Sequence, residues 1–214
     1  MPTTKTPTKR RSSKKKSTDT TKLVDEMEMI KQYPVRFLSY VSQTITFETG
    51  GRKDGAYTET PGDKGGATKW GISLKSFPGL NIKALTYKDA VDIYFKHYYS
   101  PLYDFIVDEP IAFKLFDMGV LTGPRTATKL LQKAVIDSGY TIKADGLFGP
   151  ITLTAINVSN FYKKNLYELF LKRLQGHMKY LVFKNPTNYK FLKGWLIRVN
   201  LLYKPKEEIN GDKK

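Results

Sequence analysis

The 214-residue chain contains no cysteine. Disulfides, thiolate metal sites and a cysteine nucleophile are therefore excluded. Histidine is nearly as scarce, with His97 and His177 alone. No HExxH or comparable ligand pair exists, so a catalytic zinc would need both histidines and several carboxylates to converge from distant segments. No metal or organic cofactor is expected, and each histidine reads as a surface or partly satisfied helix residue. No stretch approaches the roughly 18–20 apolar residues of a membrane span. The N-terminus is basic but lacks the apolar core of a signal peptide, so synthesis in the cytoplasm is expected.

What is present is enough for a folded core. Hydrophobic residues make up 40% and aromatics 13%, which argues against global disorder. The length suits one sizeable domain, or a domain with a small appendage. The net charge is +16. Residues 1–22 hold eight Lys or Arg against Asp19, and after Met1 they have no large apolar side chain. They read as a disordered basic tail. Such a tail either solubilises the chain or binds nucleic acid or an anionic envelope. The rest of the chain is basic in its own right.

From Leu23 onward the pattern is mostly helical. Pro34 suits a helix start, and Val35, Leu38, Val41 and Ile45 make one apolar face that leads to Phe47-Glu48. Gly50-Gly51 cap it. Residues 50–73 are rich in glycine and turn formers, with a short hairpin expected around Thr68 to Ser73. Thr86 and Asp89 resemble a capping box; that helix runs to about Tyr99 and is ended by Ser100-Pro101. Pro110 and Pro124 open two more helices. A turn at Asp145-Gly146 precedes a short helix at Pro150. Residues 161–183 read as one long helix and 188–203 as the last. Trp195 lies at helical spacing with Phe191, Leu192 and Val199 and is expected in the core.

A Glu at the end of an apolar helix, beside Phe47, is a candidate general acid, because burial favours the protonated carboxyl. The loop after it offers Asp54, Glu59 and Asp63 as second carboxylates. Tyr57, Thr68 and Trp70 add hydroxyls and aromatic faces, which suit the edges and faces of sugar rings. Glycosidases pair an acid with a second group that stabilises the sugar or activates water. The same residues also describe a solvated Glu above a loop, and composition alone leaves both readings open.

The segment Phe47-Glu48-Thr49-Gly50-Gly51, then Tyr57, Pro61, Asp63 and Gly65-Gly66-Ala67-Thr68-Lys69-Trp70-Gly71-Ile72, resembles glycoside hydrolase family 108. The resemblance continues through Tyr94–Tyr99, through Asp117 with Gly123-Pro124 and Leu131-Gln132, and through Gly194–Val199. Asp145-Gly146-Leu147-Phe148-Gly149-Pro150-Ile151-Thr152 is similar to the peptidoglycan-binding-like segment of that family. The chain departs from the family pattern at Thr49, where a Gly is usual, and at Leu121-Thr122 and Tyr99.

Members of the family are lysozyme-like muramidases, common in phages and bacteria. The resemblance implies a mostly α, lysozyme-like helical domain with a short β-hairpin near the active-site loop. It assigns the acid to Glu48, water-holding to Thr68, and a water-orienting or turn-stabilising role to Asp63. Tyr57, Trp70, Gly66 and Asp145 are the implied substrate contacts; Trp70 and Asp145 have packing and turn-forming readings beside that one. The expected division is a tail at 1–22, a catalytic region at 23–138, a peptidoglycan-binding-like helical region at 139–203 packed on it, and a polar tail at 204–214.

The expectation is thus an endolysin-type N-acetylmuramidase, a monomer whose partner is bacterial peptidoglycan, reaching the wall without a signal peptide or as part of a virion. Three alternatives stay open at this point. They are a lytic transglycosylase on the same fold, a non-catalytic wall-binding protein, and a basic nucleic-acid-binding virion protein.

Overall fold

The computed structural model describes residues 28–29, 31–59, 66–163 and 165–205. The expected basic tail, Asp63 and all but two residues of the C-terminal tail lie outside them. The chain divides into two compact units, residues 1–38 and 39–214. In the first, the rings of Tyr33 and Phe37 meet at 5.6 Å, and helix α1 (Val35–Thr49) begins. The site lies in the second.

Helix α1 stops where the sequence supplies two glycines. Gly50 and Gly51 take φ of +60° and +80°, and the Gly51 N–H reaches back to the Thr46 carbonyl. This left-handed closure satisfies an otherwise orphaned carbonyl. A hairpin follows, with β1 (Thr68–Lys69) antiparallel to β2 (Ile72–Ser73) and Thr68 opposite Ser73. Thr58 adds a bridge on the other side of Thr68. The two turn residues, Trp70 and Gly71, both have positive φ, +55° and +78°. That is the backbone of a tight primed hairpin turn, and the non-glycine Trp70 pays about 1–2 kcal/mol for it. Its surroundings offset this cost. Its N–H bonds the Gly55 carbonyl at 2.7 Å, its own carbonyl accepts from Tyr94 Oη at 3.0 Å, and its indole packs edge-on against Tyr87.

Helix α2 (Tyr87–Tyr98) starts with the expected capping box between Thr86 and Asp89, and the 3-10 turn Pro101–Phe105 follows it. Helix α3 (Glu109–Thr122) is capped by Asp108 and is the centre of the core, with every residue from Ile111 to Gly119 buried. Helices α4 (Pro124–Asp137), α5 (Pro150–Lys163), α6 (Leu166–Lys184) and α7 (Tyr189–Asn200) complete the unit. Helix α4 packs on α3 and α6, and α6 on α5 and α7. On α6 the buried residues are Leu166, Phe170, Leu174 and Met178, an i, i+4 stripe. Each such side chain contributes about 1.5–3 kcal/mol by leaving water.

Two expectations differ from the fold. Residues 161–183 are not one helix: α5 is not short but runs to Lys163, because Ala155, Ile156 and Ser159 give it a buried face. Asn165 then leaves helical geometry at φ −123°, ψ 10° before α6 begins. On α7, Val199 is buried but Trp195 is half-buried, stacked on an exposed Phe191. The periodicity located the helix face correctly only at its C-terminal end. No helix of the described residues is long and apolar enough to cross a membrane.

Candidate active site

Glu48 stands in the last turn of α1, with its side chain 22% exposed. The hairpin turn lies against it. A Cβ built on Gly71 would come within 2.7 Å of Glu48 Cγ and 2.5 Å of Tyr94 Oη. Only glycine permits this approach. The loop before β1 is built the same way, since a Cβ on Gly55 would lie 2.5 Å from the Trp70 ring. The hairpin is thus fitted onto the acid at Gly71 and onto its own preceding loop at Gly55.

An arginine from the far end of the chain holds the acid. Arg198 Nη1 donates to Glu48 Oε1 at 2.5 Å. Its Nε and Nη2 donate to the fully buried Asp117 carboxylate, the shortest contact being 2.8 Å. Thr44 Oγ1 donates to the same carboxylate at 3.1 Å. Burial opposes the charge on Arg198, but Asp117 and Glu48 outweigh it and raise the guanidinium above its ordinary value. Lys114, also buried, donates to the Arg198 carbonyl at 3.2 Å and the Leu201 carbonyl at 2.7 Å, at the C-terminal end of α7 where the helix dipole favours a cation. Burial nevertheless lowers Lys114 to about 8, against the pull of Asp117.

Two phenols complete the surroundings. Burial raises the Tyr94 hydroxyl well above its usual value, and the Glu48 charge adds to this. Tyr98 is raised for the same two reasons. Tyr98 also lines two cavities. One, of about 640 Å³, lies beside Phe77 and Leu80. The other, of about 230 Å³, lies between the end of α2 and the turn Gly146–Phe148. His97 and Tyr98 are common to both linings.

The other expected site residues fall into separate groups. Thr68 lies in the hairpin that carries the Trp70–Gly71 turn, its main chain paired with Thr58 and Ser73. The Trp70 indole N–H bonds the Leu85 carbonyl at 3.3 Å. Tyr57 donates to Glu59 at 2.5 Å, which raises its hydroxyl. Gly66 takes φ +67° against Leu74. Asp145 belongs to another network. Its Oδ1 accepts from the Leu147 N–H at 2.9 Å and from Gln132 Nε2 at 3.0 Å, and these bonds lower its carboxyl. Gln132 also spans the Leu147 carbonyl and Thr152, and accepts from the Gly146 N–H. Among the described residues no group of three or more His, Asp and Glu is placed to hold a metal ion.

Sequence reasoning did not single out Arg198, Lys114, Thr44 or Tyr98 as site residues. A signal existed for two of them. Lys114 and Asp117 are the two charges in the apolar run Ile111–Val120, and Arg198 sits between Ile197 and Val199. Charges in apolar helices demand buried partners.

Residues 47–123 match the family model described as Glycosyl hydrolase 108. That segment is similar to the glycosyl hydrolase 108 domain. Residues 126–200 match the model described as Predicted Peptidoglycan domain, so the protein is a glycoside hydrolase acting on peptidoglycan, with a mostly α, lysozyme-like fold. Nothing among the curated proteins matches this hydrolase. A solved structure titled "Structure of Brucella abortus SagA" is similar, with a TM-score of 0.58 and 26% identity over 76% of this chain and 88% of that one. Glu48 lies within the first matched segment and Arg198 within the second.

Proposed function

We propose that this glycoside hydrolase is an N-acetylmuramidase that cleaves the β-1,4 bond from N-acetylmuramic acid to N-acetylglucosamine, with Glu48 as general acid. The observation that carries the reading is the place of the Glu48 carboxyl: 22% exposed, under the Trp70–Gly71 turn, and inside the glycosyl hydrolase match. Glu48 protonates the glycosidic oxygen as that bond breaks, and water adds to the oxocarbenium-like sugar. Thr68 and Asp63 are the groups proposed to hold that water. The cavities lined by Tyr98 are the proposed places for sugar units. Tyr57, Trp70 and Gly66 at the hairpin and the loops beside it, and Asp145 in the Gln132 network, are the proposed substrate contacts. An endolysin role and added attraction of the basic tail to an anionic envelope or nucleic acid belong to the same proposal.

Glu48→Gln tests it. The amide keeps the size and can still bond Arg198, but it cannot deliver a proton. Turnover of purified peptidoglycan should fall by at least about a hundredfold, with circular dichroism unchanged. A folded variant that retains a tenth of the activity refutes the assignment. Mass spectrometry of the wild-type products separates hydrolysis, which leaves a reducing muramic acid end, from transglycosylation, which leaves an anhydro end.

A further inference from the structure

We propose that Arg198 is a positioning residue that determines which oxygen of the Glu48 carboxyl carries the transferable proton. The inference rests on the reading of Glu48 as the acid. A protonated carboxyl has one O–H donor and one carbonyl acceptor, whereas a guanidinium has only donors. Arg198 Nη1 lies 2.5 Å from Glu48 Oε1, so when Glu48 takes up a proton Oε1 stays the acceptor and the proton goes to Oε2. Without that contact the two oxygens exchange by rotation about the last side-chain bond, and the acid spends part of its time with its proton turned away.

The arginine can impose this choice because it cannot itself turn. Its Nε and Nη2 are engaged by Asp117, which has no exposed side-chain surface and is tied to Thr44. Its main chain is fixed by Lys114 at the Arg198 and Leu201 carbonyls. Lys114 and Asp117 stand three residues apart on α3, hence on one face of that helix. A buried helix therefore clamps α7, and α7 presents one N–H to the acid. In the transfer, the Oε2–H bond breaks, the leaving glycosidic oxygen gains the proton, and the electron pair stays on the carboxyl. The resulting anion is already paired with Arg198. Glu48 and Arg198 are 150 positions apart, so the peptidoglycan-domain segment completes the catalytic centre of the other.

The test is Arg198→Ala in the full chain, assayed on purified peptidoglycan with and without added guanidinium ion at tens of millimolar, far below denaturing levels. The expected result is a kcat reduced by about tenfold or more with KM within about twofold, and a kcat raised severalfold by guanidinium but not by equal sodium chloride. A residue that only supports the fold predicts no such rescue. A folded Arg198→Ala variant with kcat within about threefold of wild type, a loss confined to KM, or no response to guanidinium overturns the proposal. If the unpaired Asp117 prevents folding, Arg198→Lys carries the same test. It keeps a cation opposite Asp117 but cannot fork to two carboxylates, so kcat should again fall about tenfold, and a value within threefold of wild type refutes the idea. Glu48→Gln run in parallel separates the two readings: if it is inactive while Arg198→Ala is fully active, only the role of Arg198 fails.

Discussion

Replacing Gly71 by Ala adds a single methyl group at the point where hairpin and acid meet, and the structure sets its cost. Two effects add. The backbone stays at φ +78°, which costs a non-glycine residue about 1–2 kcal/mol. The new Cβ meets Tyr94 Oη at 2.5 Å, Glu48 Cγ at 2.7 Å and Glu48 Cβ at 2.8 Å. None of these can retreat freely, because Tyr94 is fully buried and bonded to the Trp70 carbonyl and Glu48 is held by Arg198. Overpacking of this kind costs about 1–3 kcal/mol. The sum, about 3 kcal/mol, lowers the melting temperature by roughly 6–12 °C for a chain of this size. The activity effect is larger than stability alone explains, since relief of the clash moves the acid. A displacement near 1 Å at a reacting group is worth about a hundredfold. Thermal unfolding followed by circular dichroism, with loss of turbidity of a peptidoglycan suspension at a temperature where both proteins are folded, checks both parts. A Gly71→Ala protein with wild-type melting and at least half the wild-type rate would show that the turn does not bear on Glu48 as described.

Two further outcomes are expected. Lys114 is lowered in the fold to about 8 from 10.5, so the unfolded chain binds more protons between these values and wild-type stability from this group rises with pH across that window. The gain is about 3 kcal/mol in full. Urea unfolding from pH 8 to 9.5 should show the rise in wild type and not in Lys114→Met, and parallel curves for the two proteins would refute it. Asp145→Ala should weaken pull-down on purified sacculi while leaving the fold intact, because Gln132 keeps its bonds to Leu147, Thr152 and Gly146; unchanged binding removes Asp145 from the substrate contacts.

The amino-acid sequence by itself determined the local features. Glycines at 50 and 51 end α1 and leave Glu48 in its last turn, Thr86 and Asp89 cap α2, and the hairpin closes within Thr68–Ser73. These follow from backbone preferences and capping bonds that span a few residues, so a linear reading suffices. The break at Asn165 and the half-exposure of Trp195 did not follow from local pattern, because the faces a helix buries depend on its neighbours. Least legible was what surrounds the acid. Arg198, Asp117 and Glu48 are separated by 81 and 150 positions. A buried charge in an apolar helix states that it needs a partner but not which one. The tertiary placement of α7 made that choice, and it set one guanidinium between a buried carboxylate and the proposed catalytic acid.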